Sequence, residues 1–232
     1  MTADHLGNIY LVREDNSLLR LDAQGDSSAF YRSVQNGNIG SLDATNPMRV
    51  VIYYPDYRNV ILLDRQLALK NELDLRKMNI AGPSVVASSA DGNLWIYDQF
   101  NARLRKIDEQ LNEVVESNDL RMEIQTVPSP TFMVERDWRV YLCDTAKGIF
   151  TFDRYGNYVN TLSILGVSRL QAFGSQLVYR HGDSLLSWDL SKVRAQSLKI
   201  PGVSQNILDA VMTRDKLIVL YTDRLVLYRL ES

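Results

Sequence analysis

Cysteine is almost missing from this chain. Cys143 is the single thiol among 232 residues, so no intrachain disulfide and no thiolate metal cluster can form. Small disulfide-stapled scaffolds are thereby excluded, while the compartment stays open. Histidine is scarce too, and His5 and His181 are too few for a clustered zinc site. A Ser-His-Asp triad would have to use one of them, and no G-x-S-x-G elbow is present. Phosphate-binding, dinucleotide-binding and EF-hand loop signatures are absent as well. No apolar run approaches the roughly 20 residues that span a bilayer. Net charge is only −2, so nothing global favours nucleic acid or an anionic membrane surface. Met1 is followed by the polar stretch Thr-Ala-Asp-His rather than by a signal peptide.

What is present is a repeat. A short apolar strand, a polar loop and a second apolar strand recur along the chain. The first strands are Asn8-Ile-Tyr-Leu-Val12, Arg49-Val-Val-Ile-Tyr53, Asn93-Leu-Trp-Ile-Tyr97, Arg139-Val-Tyr-Leu-Cys143, Gln176-Leu-Val-Tyr179 and Lys216-Leu-Ile-Val-Leu220. The second strands end at Asp22, Asp64, Asp108, Asp153, Asp189 and Arg229, separated by 42, 44, 45, 36 and 40 residues. A spacing near 40 with several strands per unit is the period of a propeller blade. Inner strands are expected at 84–88, 131–134 and 208–212. Outer strands are expected at 29–31, 113–115, 158–162 and 196–200. The leucines at 67, 69, 73 and 75 alternate with period two, which predicts the outer strand of the second unit rather than a helix. Asp at the end of five second strands is suited to accept turn N–H groups, a structural role. Pro83, Pro128, Pro130 and Pro201 are expected in loops between units, because proline cannot donate to a ladder.

The third unit carries Leu94-Trp-Ile-Tyr-Asp98, Gln-Phe-Asn101 and Arg103-Leu-Arg-Lys-Ile-Asp108, and the fourth a shorter Val140-Tyr-Leu-Cys-Asp144, Lys147 and Ile149 to Asp153. These two units resemble the NHL repeat, and the chain is similar to uncharacterised bacterial propellers of that type. Tachylectin-like and YWTD-like propellers share the period. The resemblance implies an all-β, six-bladed β-propeller around a central channel, with roughly four antiparallel strands per blade. Residues 1–232 form one domain, with blades near 1–38, 39–80, 81–126, 127–166, 167–203 and 204–232. Strands run short at both ends: 2–7 reads as a turn, and Leu230-Glu-Ser232 leaves no outer strand. The ring is therefore incomplete, or closed by terminal strands, or an N-terminal segment has been removed. A removed leader would place the protein in a bacterial periplasm or envelope; the alternative is cytoplasmic.

The loops between the paired strands hold the candidate binding residues. Arg58, Arg103, Lys147, Arg180 with His181, and Arg224 are basic; Tyr54, Tyr57 and Phe100 are aromatic; Asn101 is the NHL-like amide. A propeller repeats its strand order, so these loops share one face at the channel mouth. Such a face suits a protein partner anchored by Tyr and Arg, or a small anionic or carbohydrate ligand. The expected function is a non-catalytic binding or scaffold module in an envelope assembly, with no catalytic residues and no required cofactor. A purely structural subunit is the blander reading of the same loops. The enzymatic alternative is a Ca²⁺-assisted hydrolase or lyase in the channel, using Glu135, Asp91 and Asp209 as oxygen ligands. Cys143, beside Leu142 in an apolar strand, is expected to be buried and inert.

Overall fold

The computed structural model describes residues 1–78, 80, 82–192, 194–201 and 206–230. Blade one is Thr2–Ala3 (β1), Ile9–Val12 (β2), Leu18–Leu21 (β3) and Ser27–Tyr31 (β4). Blade two is Ser41–Asn46 (β5), Arg49–Tyr54 (β6), Asn59–Leu63 (β7) and Leu69–Asp74 (β8). Blade three is Pro83–Ser88 (β9), Leu94–Asp98 (β10), Arg103–Ile107 (β11) and Glu113–Glu116 (β12). Blade four is Phe132–Arg136 (β13), Arg139–Asp144 (β14), Gly148–Asp153 (β15) and Tyr158–Leu162 (β16). Blade five is Gln171–Phe173 (β17), Gln176–His181 (β18), Ser184–Asp189 (β19) and Arg194–Lys199 (β20). Blade six is Ile207–Met212 (β21), Lys216–Tyr221 (β22) and Leu225–Arg229 (β23). Each blade is an antiparallel meander in sequence order, so the fold is a six-bladed β-propeller. Among the described residues the helical elements are single turns at Leu75–Met78 and Leu120–Glu123.

The second strand of each blade is sandwiched between two neighbouring blades. That is why β6 and β10 are buried at every residue and read as unbroken apolar runs rather than as an alternation. Outer strands face water on one side or both; β20 is exposed throughout. The core is accordingly split into six clusters, one per blade junction. Among the described residues five hold eight to twelve buried side chains, whereas the junction of blades six and one holds four: Ile9, Leu21, Val211 and Ile218.

Three expectations need correction. Residues 2–7 are not only a turn: Thr2 and Ala3 pair with Tyr10 and Ile9 as the inner strand of blade one. Leu67 lies in the turn before β8, at φ 61°, rather than in the strand. Its side chain enters the core between blades one and two, which offsets the cost of a left-handed backbone. Pro83 opens β9 instead of sitting in a loop; the first residue of a strand is a place where no ladder donor is missed. Glu231 and Ser232, where blade six was expected to run out of strand, lie outside the described residues.

The repeated aspartates do make turns, and they do one thing more. Oδ1 of Asp22, Asp64, Asp108 and Asp153 accepts the N–H groups two and four residues on, at 2.8–3.0 Å. At four junctions the carbonyl just after such an aspartate accepts from the preceding blade. Arg20 donates to Arg65 O (2.5 Å), Asn71 to Glu109 O (3.2 Å), Lys106 to Arg154 O (3.3 Å) and Lys216 to Ala23 O (2.5 Å). The Lys216 bond joins blade six to blade one and so latches the ring across its thinnest core. Replacing Lys216 with methionine keeps the apolar stem and removes this donor. The expected loss is about 1.5 kcal/mol. Hydrogen exchange should rise first in β1, β2, β22 and β23, while β10 and β14 stay protected; uniform exchange across all blades would contradict a weak seam.

Candidate functional site

Successive antiparallel strands bring alternate loops to opposite faces. The loops between second and third strands therefore share a face with the linkers between blades. Asn16 Nδ2 donates to Gly37 O (2.5 Å), and Asn38 N donates to Asp56 (3.1 Å). Gly82 lies so close to Phe100 that a Cβ there would sit 3.1 Å from the Phe100 Cβ. In blades three and four the NHL-like acids tie linker to loop. Asp98 accepts from Gly82 N and Asn101 N (both 3.3 Å), and Asp144 accepts from Ser129 N (2.8 Å) and Lys147 N (3.0 Å). These motif residues act as staples on this rim.

Most of the rim's cations are engaged within the fold. Arg103 pairs with Glu116 and reaches Ser117 O at 3.3 Å. Lys147 donates to Val127 O. Arg180 is not in a loop but in β18. It binds Leu208 O (2.6 Å) and Ile207 O (2.8 Å), clamping blade five to blade six. His181 ends the same strand, exposed and paired with Ser184. Arg224 lies 3.5 Å from Asp223 and stacks over the Tyr221 ring. Asn101 donates to Asp98 (2.7 Å). Tyr54 is fully buried at the end of β6, so it cannot meet a ligand at the surface. That leaves Tyr57 (49% exposed), Arg58 and Phe100 (72% exposed), on the adjacent loops of blades two and three. Arg58 makes no ion pair among the described residues. It holds φ 54°, which points its side chain out of the loop while its carbonyl accepts from Leu75 N (3.0 Å).

The carboxylates proposed as calcium ligands are not brought together. Glu135 accepts from Ser89 Oγ (2.6 Å), Ala90 N (3.2 Å) and Trp95 Nε1. Burial raises the Asp91 pKa, but the Lys106 ammonium at 2.8 Å, with hydrogen bonds, outweighs it and holds the carboxyl at about 2. Asp209 accepts from Arg169 (3.1 Å) and the Met1 amine (2.9 Å). Among the described residues no three His, Cys, Asp or Glu side chains form a group that can hold a metal. Cys143 is fully buried, and burial pushes its thiol pKa far up, away from thiolate chemistry.

Arg169 bonds Asp209 and stacks over the Phe132 ring, with 5.7 Å between guanidinium carbon and ring centre. Arg169 and Phe132 line two cavities, one of 460 Å³ toward the rim just described and one of 570 Å³ toward the opposite mouth. Sequence reasoning did not single out the second cavity. Its lining comes from inner strands of blades about 40 residues apart, a proximity that only the closed ring creates. It also missed Trp138, 44% exposed at φ 62° in the turn after β13, with Arg154 stacked on its ring at 4.2 Å.

No family model matches the chain, and no curated protein matches it in sequence. Solved structures resemble it in shape. A chain of the nidogen/laminin complex has a TM-score of 0.68 at 12% identity, covering 96% of this chain and 89% of that one. Virginiamycin B lyase from Staphylococcus aureus gives 0.61 at 13%, covering 100% and 83%. BamB from Moraxella catarrhalis gives 0.52 at 14%, covering 95% and 69%. Likeness at such low identity speaks to the shared fold alone, and with the strand order above it makes this chain a six-bladed β-propeller.

Proposed function

We propose that this propeller is a non-catalytic binding module that seats a protein partner on the rim of blades two and three. The observation that carries the reading is the exposed trio Tyr57, Arg58 and Phe100 on adjacent loops, left over when Arg103, Lys147 and Arg180 are bonded internally. Tyrosine, arginine and phenylalanine supply large contact area with few rotamers, and such residues anchor protein interfaces. Similar folds occur in the nidogen/laminin complex and in BBS1 bound to ARL6, which supports a protein partner for this scaffold. An NHL-type lineage and a place in a bacterial envelope assembly belong to the same proposal. Their support is the Asp98-Gln-Phe-Asn101 motif and the character of the repeat.

The test is quantitative affinity capture from the source cells with wild type and with a Tyr57→Ala, Arg58→Glu, Phe100→Ala variant. All three side chains face water, so circular dichroism should match wild type. Each lost anchor at about 1.4 kcal/mol or more is a tenfold loss of affinity, so removing all three predicts a drop of well over tenfold in one specific captured protein. Recovery equal to wild type would show this rim to be ordinary solvated surface.

A further inference from the structure

The mouth opposite that rim has a different chemistry. Its 570 Å³ cavity lies within the size range of small-molecule sites. The walls are apolar side chains from three blades: Phe132 and Val134 from β13, Leu170 and Ala172 at β17, and Val211 and Met212 from β21. Two guanidiniums join this lining at the turns between first and second strands. Arg136 closes β13 and Arg214 follows β21. Neither makes an ion pair or a side-chain hydrogen bond within the described residues. The other charges in the lining are committed. Asp4 accepts from Leu6 N, Asn8 N, Asn8 Nδ2 and Tyr10 Oη at 2.7–3.1 Å, and Arg169 is paired with Asp209. His5 is exposed at the edge. The neighbouring acids Asp137 and Asp215 are not part of the lining, and Asp215 accepts from Thr213 Oγ1 at 3.3 Å.

An apolar pocket with uncommitted arginines at its opening is complementary to one kind of small molecule: an apolar body ending in an anion. We infer that this mouth binds an apolar carboxylate, with the carboxylate held by Arg136 and Arg214 and the apolar body against Phe132, Leu170 and Val211. Arg169, held by Asp209, and Phe132 line both cavities and so stand between this site and the other one. The site is independent of the protein-binding rim, since none of Tyr57, Arg58 and Phe100 lines it.

Fluorescence titration with 8-anilinonaphthalene-1-sulfonate tests it, followed by displacement with decanoate. One saturable site is expected, emptied by decanoate and not by the neutral decyl glucoside. Arg136→Gln with Arg214→Gln should weaken probe and decanoate at least tenfold, since each lost charge-assisted contact is worth about one order of magnitude. Neither arginine side chain is bonded among the described residues, so the melting temperature of the double variant should match wild type. Arg58→Glu, on the opposite face, should leave binding unchanged, which separates this site from the rim. Absence of saturable binding, equal binding by the double glutamine variant, or displacement by decyl glucoside as strong as by decanoate would each overturn the inference.

Discussion

Replacing Gly148 with alanine is expected to cost about 4 kcal/mol or more and to lower the melting temperature by roughly 10 °C. Gly148 is buried and opens β15 directly after the loop of blade four, opposite Asp144. Its φ of +107° lies beyond the left-handed region that other residues reach with modest strain. A Cβ there would fall well inside 3.0 Å of the Leu162 carbonyl oxygen, with Leu162 C at 3.3 Å and Ile164 N at 3.5 Å. All three are backbone atoms. They cannot turn aside without breaking the Ile149–Leu162 pairing that holds β16. Gly92 provides the control. It also has positive φ, +88°, but nothing lies within 4 Å of its missing Cβ. Gly92→Ala therefore meets backbone strain alone, about 1 kcal/mol. Urea unfolding of the two variants separates close approach from conformational strain. Equal midpoints would mean that the blade-four turn relaxes freely, contrary to this packing.

The paired strands of each blade were legible because burial on both faces leaves an unbroken apolar run such as Val50 to Tyr54, which survives in one dimension. The turn aspartates were legible because an Asx turn is local. It needs only the carboxylate and the N–H groups two and four residues on. Leu67 was misplaced because a left-handed leucine extends the period-two pattern of β8 into its turn; only the core between blades one and two explains why it is tolerated there. Thr2–Ala3 was missed because two residues show no period at all. The candidate rim was read from the basic and aromatic types of its residues, yet charge alone does not reveal a partner. Arg103 finds Glu116 13 residues away, and Arg180 finds Leu208 O 28 residues away, across a blade junction. The distinction between Arg58, free at the surface, and Arg180, a clamp, exists only in three dimensions. The same holds for the second mouth, where Arg136 and Arg214 meet through ring closure.

Glu135 shows how a residue with the right chemistry for a ligand can instead hold the scaffold. It lies on the inner strand of blade four, 6% exposed, and all the hydrogen bonds of its carboxylate run to blade three. Its carboxylate collects the Ser89 hydroxyl, the Ala90 amide and the indole N–H of Trp95, a fully buried side chain at the centre of the core between these blades. Lys106 stacks on the other side of that indole, 4.4 Å from its centre, and bonds Asp91 at 2.8 Å. Glu135→Ala would strand three donors in a dry junction. At about 1–3 kcal/mol for each buried donor, less what entering water recovers, the expected loss is about 3–5 kcal/mol. Glu135→Gln keeps one acceptor oxygen but turns an NH₂ toward a donor, so it should fall between, at about 1–2 kcal/mol. Tryptophan emission should shift to longer wavelength in the alanine variant as water reaches Trp95. The shift should be absent when Trp95 is first changed to phenylalanine, because Trp138 and Trp188 lie outside this junction. In a double-mutant cycle the Trp95→Phe background should also reduce the cost of Glu135→Ala, since one stranded donor is gone. Strict additivity of the two changes would mean that the carboxylate and the indole stabilise the junction separately, and that the bond between them contributes nothing.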